Sequence, residues 1–562
     1  MPAHRYTRGA PRLPQGLADR RWPEQEIRRP PLWASVDLRD GNQALANPMD
    51  VRRKREMFDL LVRMGFKEIE VGYPAASSAD FSFIRDLIVQ DRIPDDVTIV
   101  VFTPARLDLI DRTFEAIQGA ERVMVHLCLA TACLWREVVF SMTAPELRQL
   151  TVQAAEHVAA LADAMGGSQL RFEYSPETFN VTEPEFALEV CDAVTAVWNA
   201  SPDRPVTLNM PTTVETDSPN VFADQIEWMH RNLSRRESVI LSVHPHNDRG
   251  TAVASAELAV MAGADRIEGT LFGNGERTGN VCLATLALNL FSRGIDPQLD
   301  FTDIDSIRRT VESCNQMPVP ARHPYVGELV YTAFSGTHQD AIGKGLAALE
   351  KRSARTGLPV SDLPWEVPYL PIDPRDVGRT YESVVRVNSQ SGKGGVAQVL
   401  KTHHGLDLPR PLRAELAGAV QKVTDETGTE VSSHHLWEIF AETYLTPRPG
   451  LRVKDVKAAH QDDRVEVVLS LMEPGGQEHE LSGAGTEFTD ALVDAVTLLG
   501  HTVELHSVSH HPLADDADRR TAAYVHLTAG AAAAHGAGID AEPESAFTIA
   551  FFNALNNAHA SR

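Results

Sequence analysis

The sequence has few cysteines, and their spacing fits neither a disulfide framework nor a zinc site. Five cysteines occur in 562 residues, none forms a CxxC pair, and none follows Cys314. An odd number of scattered cysteines is typical of reduced thiols. We therefore expect a chain that depends neither on disulfides nor on a thiolate-bound metal.

Positive charge and long apolar runs are also scarce. Lys and Arg total 53 against 77 Asp and Glu, a formal net charge of −24, which repels nucleic-acid phosphates and anionic lipid surfaces. The Arg- and Pro-rich residues 1–30 contain no apolar signal-peptide core, and no later stretch supplies the roughly 18 apolar residues of a membrane span. We expect a cytoplasmic protein with no nucleic-acid or membrane partner.

Two glycine-rich loops fail the tests for nucleotide binding. In residues 273–280, Thr278 stands where a dinucleotide-binding loop needs its last glycine. In residues 391–395, Gly394 follows Lys393 where a phosphate-binding loop needs Ser or Thr. Neither loop supports an NTPase or a dehydrogenase.

The first half of the chain alternates short β-branched runs with segments of helical period, a pattern typical of parallel βα units. Helices are predicted at 51–64, 144–164 and 252–262. The predicted strands cover 32–38, 67–71, 97–102, 122–127, 169–174, 205–209, 238–243 and 266–271. Eight such strands predict an α/β fold with a closed (β/α)8 TIM barrel, and an open doubly wound sheet is the alternative.

A chain of 562 residues is too long for one core, so further domains are expected. A Pro-rich passage at 363–374 and a Gly/Ser-rich loop at 388–395 break the barrel pattern. Strands at 465–471 and 478–482 and a helix at 488–499 then predict an α+β domain, and the Ala/Gly run 528–538 predicts a mobile loop. The predicted division is a flexible segment 1–30, a catalytic barrel 31–327, a linker with small helical subdomains 328–447 and a C-terminal domain 448–562.

Polar residues follow two of the predicted barrel strands. In TIM barrels the active site lies at the carboxyl ends of the strands. The first strand leads into Arg39 and Asp40, and the seventh ends in His244 and His246, which the i, i+2 spacing turns to the same side. Paired imidazoles at a strand end favour a metal site. A surface ion pair and structural histidines are the alternatives.

These motifs together resemble one family of acyltransferases. The segment Leu38-Arg39-Asp40-Gly41-x-Gln43 with Lys54, the segment 244–250 and the loop 273–280 resemble the 2-isopropylmalate, homocitrate and citramalate synthases, which are relatives of the hydroxymethylglutaryl-CoA lyases. The closest likeness is to the long 2-isopropylmalate synthases, through 172–177, 334–340, 367–379 and 388–395. The resemblance implies a TIM barrel, a helical linker and a leucine-binding regulatory domain. It also implies a Claisen condensation of acetyl-CoA with a 2-oxoacid, with 2-oxoisovalerate expected, at the first committed step of leucine biosynthesis.

The resemblance further implies roles for individual residues. Four would bind a divalent cation, Mg²⁺, Mn²⁺ or Zn²⁺, and activation by a monovalent cation such as K⁺ is implied as well. The implied metal ligands are Asp40, His244, His246 and Asn280, the implied catalytic residues are Arg39, Glu177, His338 and Tyr369, and the implied substrate-binding residues are Thr213, His126, Phe102 and Ser175. Glu177 and His338 are both candidate bases, and His338 and Tyr369 would come from the partner subunit of a homodimer. Gly483 and Gly485 would belong to a close-approach loop of the regulatory domain, with leucine as inhibitor.

The acyl pocket departs from the family pattern. Phe102 stands where leucine is usual, and Cys128 lies in a segment where the long synthases carry Tyr, Asn and Ser. Phenylalanine would narrow one wall while cysteine widens another. Two hypotheses stay open, neutral drift with 2-oxoisovalerate retained, or a paralogous synthase for a different 2-oxoacid in specialised metabolism.

Three other classes of protein are alternatives. The long C-terminal extension argues against a CoA-thioester lyase, and the lack of a biotin-attachment Met-Lys-Met segment argues against a carboxyltransferase. A non-catalytic sensor would be expected to lose Arg39, Asp40 or one histidine, and all are kept.

Overall fold

The computed structural model describes residues 17–165, 169–379, 393–427, 431–446, 448–461, 464–513 and 520–560. The chain divides into two compact units. One comprises Met1–Val330 with Asp376–Arg379, and the other Tyr331–Arg375 with Thr380–Arg562. Within the described ranges, no helix combines the length and the apolar character that a membrane crossing requires.

The first unit contains a closed barrel of eight parallel strands in sequential order. Strand β1 closes the barrel by pairing with β8 as well as with β2. The strands are β1 Leu32–Ser35, β2 Glu68–Gly72, β3 Thr98–Pro104, β4 Arg122–Ala130, β5 Gln169–Glu177, β6 Val206–Thr212, β7 Val239–Pro245 and β8 Arg266–Gly269. Closure confirms the predicted TIM barrel and excludes the open doubly wound sheet.

Helices separate the strands and cover the barrel. The first, predicted at 51–64, begins after Asp50, whose side chain accepts a hydrogen bond from the backbone N–H of Arg53, and ends at Gly65 with a φ of 102°. The helices are α1 Val51–Met64, α2 Ser78–Val89, α3 Leu107–Ala116, α4 Ala144–Met165, α5 Pro184–Val197, α6 Pro219–Asn232, α7 Ala252–Met261, α8 Leu283–Phe291 and α9 Ile304–Asn315. Because the strands are parallel, the carboxyl ends of all eight lie at one mouth of the barrel.

The second unit combines helices with two three-stranded antiparallel sheets. Its helices are α10 Gly336–Thr356, α11 Lys393–His404, α12 Arg410–Thr427, α13 Ser433–Phe440, α14 Phe488–Thr497 and α15 Pro543–Ala560. Its strands are β9 Arg452–Gln461, β10 Arg464–Met472, β11 Glu478–Gly485, β12 Val503–Pro512, β13 Thr521–Ala529 and β14 Ala532–Asp540. The strands at 465–471 and 478–482 and the helix at 488–499 are thus confirmed. The predicted loop 388–395 falls partly on residues outside the described ranges, and Lys393 already begins a helix.

The Ala/Gly run 528–538 is not the mobile loop that its composition suggests. It holds the end of β13, a tight turn at Gly530 with a φ of 65°, and most of β14. A side-chain carbon at Gly536 would lie 2.3 Å from the carbonyl oxygen of Ala550, and one at Gly538 would lie 2.1 Å from that of Ala546. The small residues therefore let α15 pack directly against the strand, and the loop prediction was wrong.

Gly483 and Gly485 lie in the last three residues of β11, so the loop predicted there is a strand end. A side-chain carbon at Gly483 would lie 2.2 Å from the carbonyl oxygen of Ala491 in α14, and one at Gly485 would lie 2.4 Å from Cβ of Asp490. The close approach is thus to a neighbouring helix. A regulatory role for the two glycines stays a prediction.

Candidate metal centre and active site

The barrel mouth gathers the motif residues from three strand ends. Arg39 and Asp40 lie in a short helical turn, Asp37–Gly41, directly after β1. His244 lies in β7 and His246 follows it. Asn280 comes from the loop after β8 and pairs with His246 through an isolated backbone bridge.

Asp40 is the centre of this cluster. Its Oδ2 lies 3.4 Å from Nε2 of His244 and 3.8 Å from Nε2 of His246, and it accepts a hydrogen bond of 2.9 Å from Nδ2 of Asn280. All four side chains are buried, and Oδ1 of Asn280 and Nδ1 of His246 have no hydrogen-bond partner among the described residues. One ligand atom each from Asp40, His244 and His246 lies within 4.8 Å of the others. A carboxylate, two imidazoles and an unpartnered amide oxygen are a donor set that fits a divalent cation.

The charges in the cluster are strongly coupled. Burial raises the pKa of Asp40, but Arg39 and the two imidazoles outweigh it and hold that pKa well below the usual range. Burial lowers the pKa of His244, but its hydrogen bonds to Asp40 and Glu268 raise it to about 9. Burial and the charge of His244 lower the pKa of His246 to about 4. Asp40 and Glu268 therefore favour the positively charged form of His244 when no metal ion is bound.

Arg39 is held by two carboxylates and a ring. Its Nε donates to Glu70 at 2.6 Å, its Nη1 donates to Asp40 at 2.9 Å, and its guanidinium lies 4.7 Å from the centre of the Phe102 ring. The remaining nitrogen, Nη2, has no hydrogen bond to a described residue and is available to a substrate oxygen. The guanidinium is thus fixed before any substrate binds.

A chain of hydrogen bonds continues from Arg39 around the mouth. Nδ1 of His126 is hydrogen-bonded to the carboxylate of Glu70 at 2.7 Å, and its Nε2 is hydrogen-bonded to the hydroxyl of Ser175 at 2.7 Å. Asn209 donates to Oγ of Ser175 at 3.1 Å and to Glu268 at 2.8 Å, and Glu268 accepts from Nδ1 of His244. Both nitrogens of His126 are therefore engaged by the protein, so neither is free for a substrate in this structure.

The sequence motifs do not include three residues of this network, Glu70, Asn209 and Glu268. A signal for them exists, because polar residues recur at every second position of the barrel strands, as in Glu68 and Glu70, and successive alternate residues of a strand face the same side. These three residues contact the motif residues from strands that lie far apart in the sequence. Only the closed barrel brings them together.

The predicted acyl-pocket and substrate residues also lie at the mouth. The Phe102 ring lies 5.3 Å from that of His126 and 5.2 Å from that of Tyr73, both edge to face. Cys128 is buried, with its Sγ 3.8 Å from Oε2 of Glu177. Thr213 follows β6, and its hydroxyl accepts a hydrogen bond of 2.8 Å from the backbone N–H of Thr178.

Glu177 ends β5 beside these groups. Burial raises its pKa, against the opposing effect of Arg39. A carboxylate whose pKa is raised is a stronger base than an exposed one once it is ionised. Its position and its environment therefore suit proton removal.

His338 and Tyr369 belong to the second unit, where their rings stack with centres 4.0 Å apart. His338 lies near the start of α10, and Tyr369 is 59% exposed with a positive φ of 65°. A positive φ is uncommon for a residue with a side chain and is often kept for a functional reason. Their contribution to the barrel site stays a prediction.

A second group of potential ligands lies deeper in the barrel. His126, Glu173 and Glu268 also place one ligand atom each within 4.8 Å of the others. The guanidinium of Arg266 already occupies this region, with hydrogen bonds to both glutamates. Because this buried guanidinium already balances the negative charge of the two glutamates, no metal ion is needed there.

Three known families match successive parts of this chain. The HMGL-like family matches residues 31–311, the alpha-isopropylmalate synthase post-catalytic domain-like family matches 328–401, and the LeuA allosteric (dimerisation) domain matches 430–559. Among solved structures, a hydroxymethylglutaryl-CoA lyase from Pseudomonas aeruginosa is 18% identical, with a TM-score of 0.41 over 51% of this chain and 91% of that chain.

Proteins named 2-isopropylmalate synthase are much more similar. That of Mycobacterium ulcerans is 53% identical over 99% of this chain and 100% of its own length. That of Thermobifida fusca is 53% identical over 100% of this chain and 98% of its own length. That of Nocardia farcinica is 60% identical over 79% of this chain and 77% of its own length. The chain therefore belongs to the 2-isopropylmalate synthase family.

Proposed function

We propose that this chain is an acyltransferase that condenses acetyl-CoA with 2-oxoisovalerate, giving 2-isopropylmalate and CoA at the first committed step of leucine biosynthesis. The observation that carries the proposal is the buried cluster of Asp40, His244 and His246 beside a fixed Arg39 at the barrel mouth. The full-length similarity to synthases of that name supports the substrate pair.

The four ligands Asp40, His244, His246 and Asn280 would hold the cation, proposed as Mg²⁺, Mn²⁺ or Zn²⁺. When bound there, a divalent cation would supply Lewis-acid polarisation of the ketone of a 2-oxoacid. Thr213 would donate a hydrogen bond from its hydroxyl group to the substrate carboxylate. Nη2 of Arg39 would donate to the ketone oxygen, where negative charge develops as the new carbon–carbon bond forms.

Glu177 is proposed as the base that takes a proton from the methyl group of acetyl-CoA. The resulting carbon nucleophile attacks the ketone carbon, and the ketone oxygen becomes a hydroxyl by gaining a proton. Water then cleaves the thioester C–S bond, which releases a carboxylate and CoA as a free thiol. His338, brought by the partner subunit, is the second candidate for the base.

The pH dependence of the reaction distinguishes the two bases. A base must be ionised to act, so kcat/KM should fall as the pH drops through its pKa. For Glu177, burial places that fall above pH 4.5, its ordinary pKa. We expect the wild type and His338→Gln to share this acid limb and Glu177→Gln to lose it, with kcat lower by about 10²-fold or more. Steady-state rates between pH 4.5 and 8 measure the limb, and an unchanged limb in Glu177→Gln would remove Glu177 as the base.

The acyl pocket decides which 2-oxoacid is used. One methylene in an apolar pocket changes discrimination by only about 1–3 kcal/mol, so Phe102 and Cys128 are enough to shift a preference. The decisive measurement compares kcat/KM for pyruvate, 2-oxobutyrate, 2-oxoisovalerate, 2-oxoglutarate and bulkier acids. We expect 2-oxoisovalerate to lead, and a preference of about tenfold for another acid would instead assign the paralogous function.

Assembly and regulation complete the proposal. The match to a LeuA allosteric (dimerisation) domain supports a homodimer and leucine as inhibitor. A leucine titration in the same assay checks the effector, and an unchanged rate at millimolar leucine would count against it. Activation by K⁺ and the cytoplasmic location stay predictions.

A further inference from the structure

A layer of charged side chains fills the barrel directly below the metal cluster. Arg266 is fully buried, and its Nε donates to Glu68 at 2.6 Å. Its Nη1 donates to Glu268 at 2.9 Å, to Glu173 at 3.1 Å and to Ser242 at 2.9 Å. The interior of a TIM barrel is usually packed with branched apolar residues, so a buried guanidinium among three carboxylates needs a reason.

Glu268 connects this layer to the metal cluster. Its Oε1 accepts from Arg266, and its Oε2 accepts from Nδ1 of His244 at 2.8 Å and from Asn209 at 2.8 Å. Three donors from three strands therefore fix both oxygens of one carboxylate. The carboxylate has no freedom to turn away from His244.

The contact determines which nitrogen of His244 carries a proton. A carboxylate accepts and does not donate, so Nδ1 of His244 must be the donor. The unshared pair of a neutral His244 then lies on Nε2, the nitrogen that faces Asp40 at 3.4 Å. His246 differs, because its buried Nδ1 has no hydrogen-bond partner among the described residues.

We propose that Glu268, anchored by Arg266, is a positioning residue that fixes the tautomer and the orientation of His244 for a divalent cation. The inference rests on the metal site of the proposed function but not on its substrates. A carboxylate behind a ligating histidine typically changes metal affinity by 10- to 100-fold.

The isosteric change Glu268→Gln tests this role. A glutamine there has one acceptor oxygen for donors on both sides. The charged Arg266 makes the stronger hydrogen bond, so the oxygen turns to it and the amide NH₂ turns to His244. Nδ1 of His244 must then accept, which places the proton on Nε2 and blocks the nitrogen that faces the cluster.

Glu173→Gln is the matched control. Glu173 is as fully buried as Glu268 and is also a partner of Arg266, but no hydrogen bond joins it to His244. Glu173 also contacts Glu268, and a glutamine at 173 keeps a donor for that contact. If the layer of charged side chains had only a structural role, Glu173→Gln and Glu268→Gln would change the affinity for metal equally. Positioning of His244 predicts that only Glu268→Gln changes the affinity for metal.

The measurement is calorimetric titration of the metal-free full chain with Mn²⁺ alone. We expect the Kd to rise by about 10- to 100-fold in Glu268→Gln and to stay within about threefold of wild type in Glu173→Gln. Equal Kd values for wild type and Glu268→Gln, or an equal loss of Mn²⁺ affinity in both variants, would overturn the inference. If the wild type bound no Mn²⁺, the proposed metal site itself would fail.

Thermal unfolding of each variant shows whether the fold is intact. If Glu268→Gln does not fold, Glu268→Asp takes its place, because it keeps the charge for Arg266 but shortens the reach to His244. We then expect a Kd about tenfold above that of wild type. A wild-type Kd in a folded Glu268→Asp would overturn the inference in the same way.

Discussion

Replacing His246 with alanine should lower kcat/KM for acetyl-CoA and 2-oxoisovalerate by about 10³-fold or more. The substitution breaks no side-chain hydrogen bond among the described residues, because Nδ1 of His246 has no partner there and its Nε2 lies 3.8 Å from Asp40, beyond a hydrogen bond. Its proposed role is to bind the cation. Loss of a Lewis acid costs several kcal/mol of transition-state stabilisation, and about 1.4 kcal/mol corresponds to tenfold in rate.

Thiol release from acetyl-CoA in the presence of the 2-oxoacid measures this effect. His157→Ala is a suitable control, since His157 lies on α4 and its Nε2 is hydrogen-bonded to Asp111 of α3, on helices that cover the outside of the barrel. We expect the control to keep wild-type activity. A His246→Ala enzyme within tenfold of wild type at limiting metal would contradict the assignment of His246 as a ligand.

Arg39→Lys should lower kcat by about 10²- to 10³-fold although the charge is kept. Arg39 donates to Glu70 and Asp40 from different nitrogens, and its Nη2 has no hydrogen bond to a described residue. A lysine ammonium is a compact point charge and cannot reproduce this planar fork. Because the interaction is proposed to strengthen in the transition state, kcat should fall more than KM for the 2-oxoacid rises.

The rates should be measured with both substrates saturating, after thermal unfolding has shown that the variant is folded. Arg55→Lys is the matched control, because Arg55 also pairs with an aspartate, Asp86, but on the outer face of α1. We expect no change in kcat for the control. A kcat within threefold of wild type in Arg39→Lys would contradict the proposed role.

The barrel could be predicted because its strands are buried on both faces. Their short apolar and β-branched stretches, although interrupted by charged residues such as Glu68 and Glu70, differ in length and in period from the helices between them. The ends of the strands were harder to predict, since β4 and β5 continue to Ala130 and Glu177, about three residues beyond the predicted strand ends. In β5 the extension is Ser175-Pro176-Glu177, which apolar patterning does not mark.

The metal cluster could be predicted in part. Asp40, His244, His246 and Asn280 belong to motifs with local spacing, and the structure brings all four together. Glu70, Asn209 and Glu268 have no such motif, because each acts through a partner on another strand. Their identification requires the register of the closed barrel.

The C-terminal errors have a different cause. Alanine and glycine were interpreted as loop composition between 528 and 538, yet here their small size lets α15 approach β14. Composition alone does not distinguish a position that must be small from one that is unrestrained. The packing partner makes the difference, and it lies eight to fourteen residues further along the chain.

The central claim is a condensation that needs both substrates. The most direct test incubates the full chain with acetyl-CoA and 2-oxoisovalerate in the presence of Mn²⁺ and identifies the products by mass spectrometry while free thiol is counted. We expect 2-isopropylmalate and CoA in equal amounts, with no thiol released when the 2-oxoacid is omitted. Thiol release without the 2-oxoacid, or the absence of 2-isopropylmalate when both substrates are present, would contradict the account.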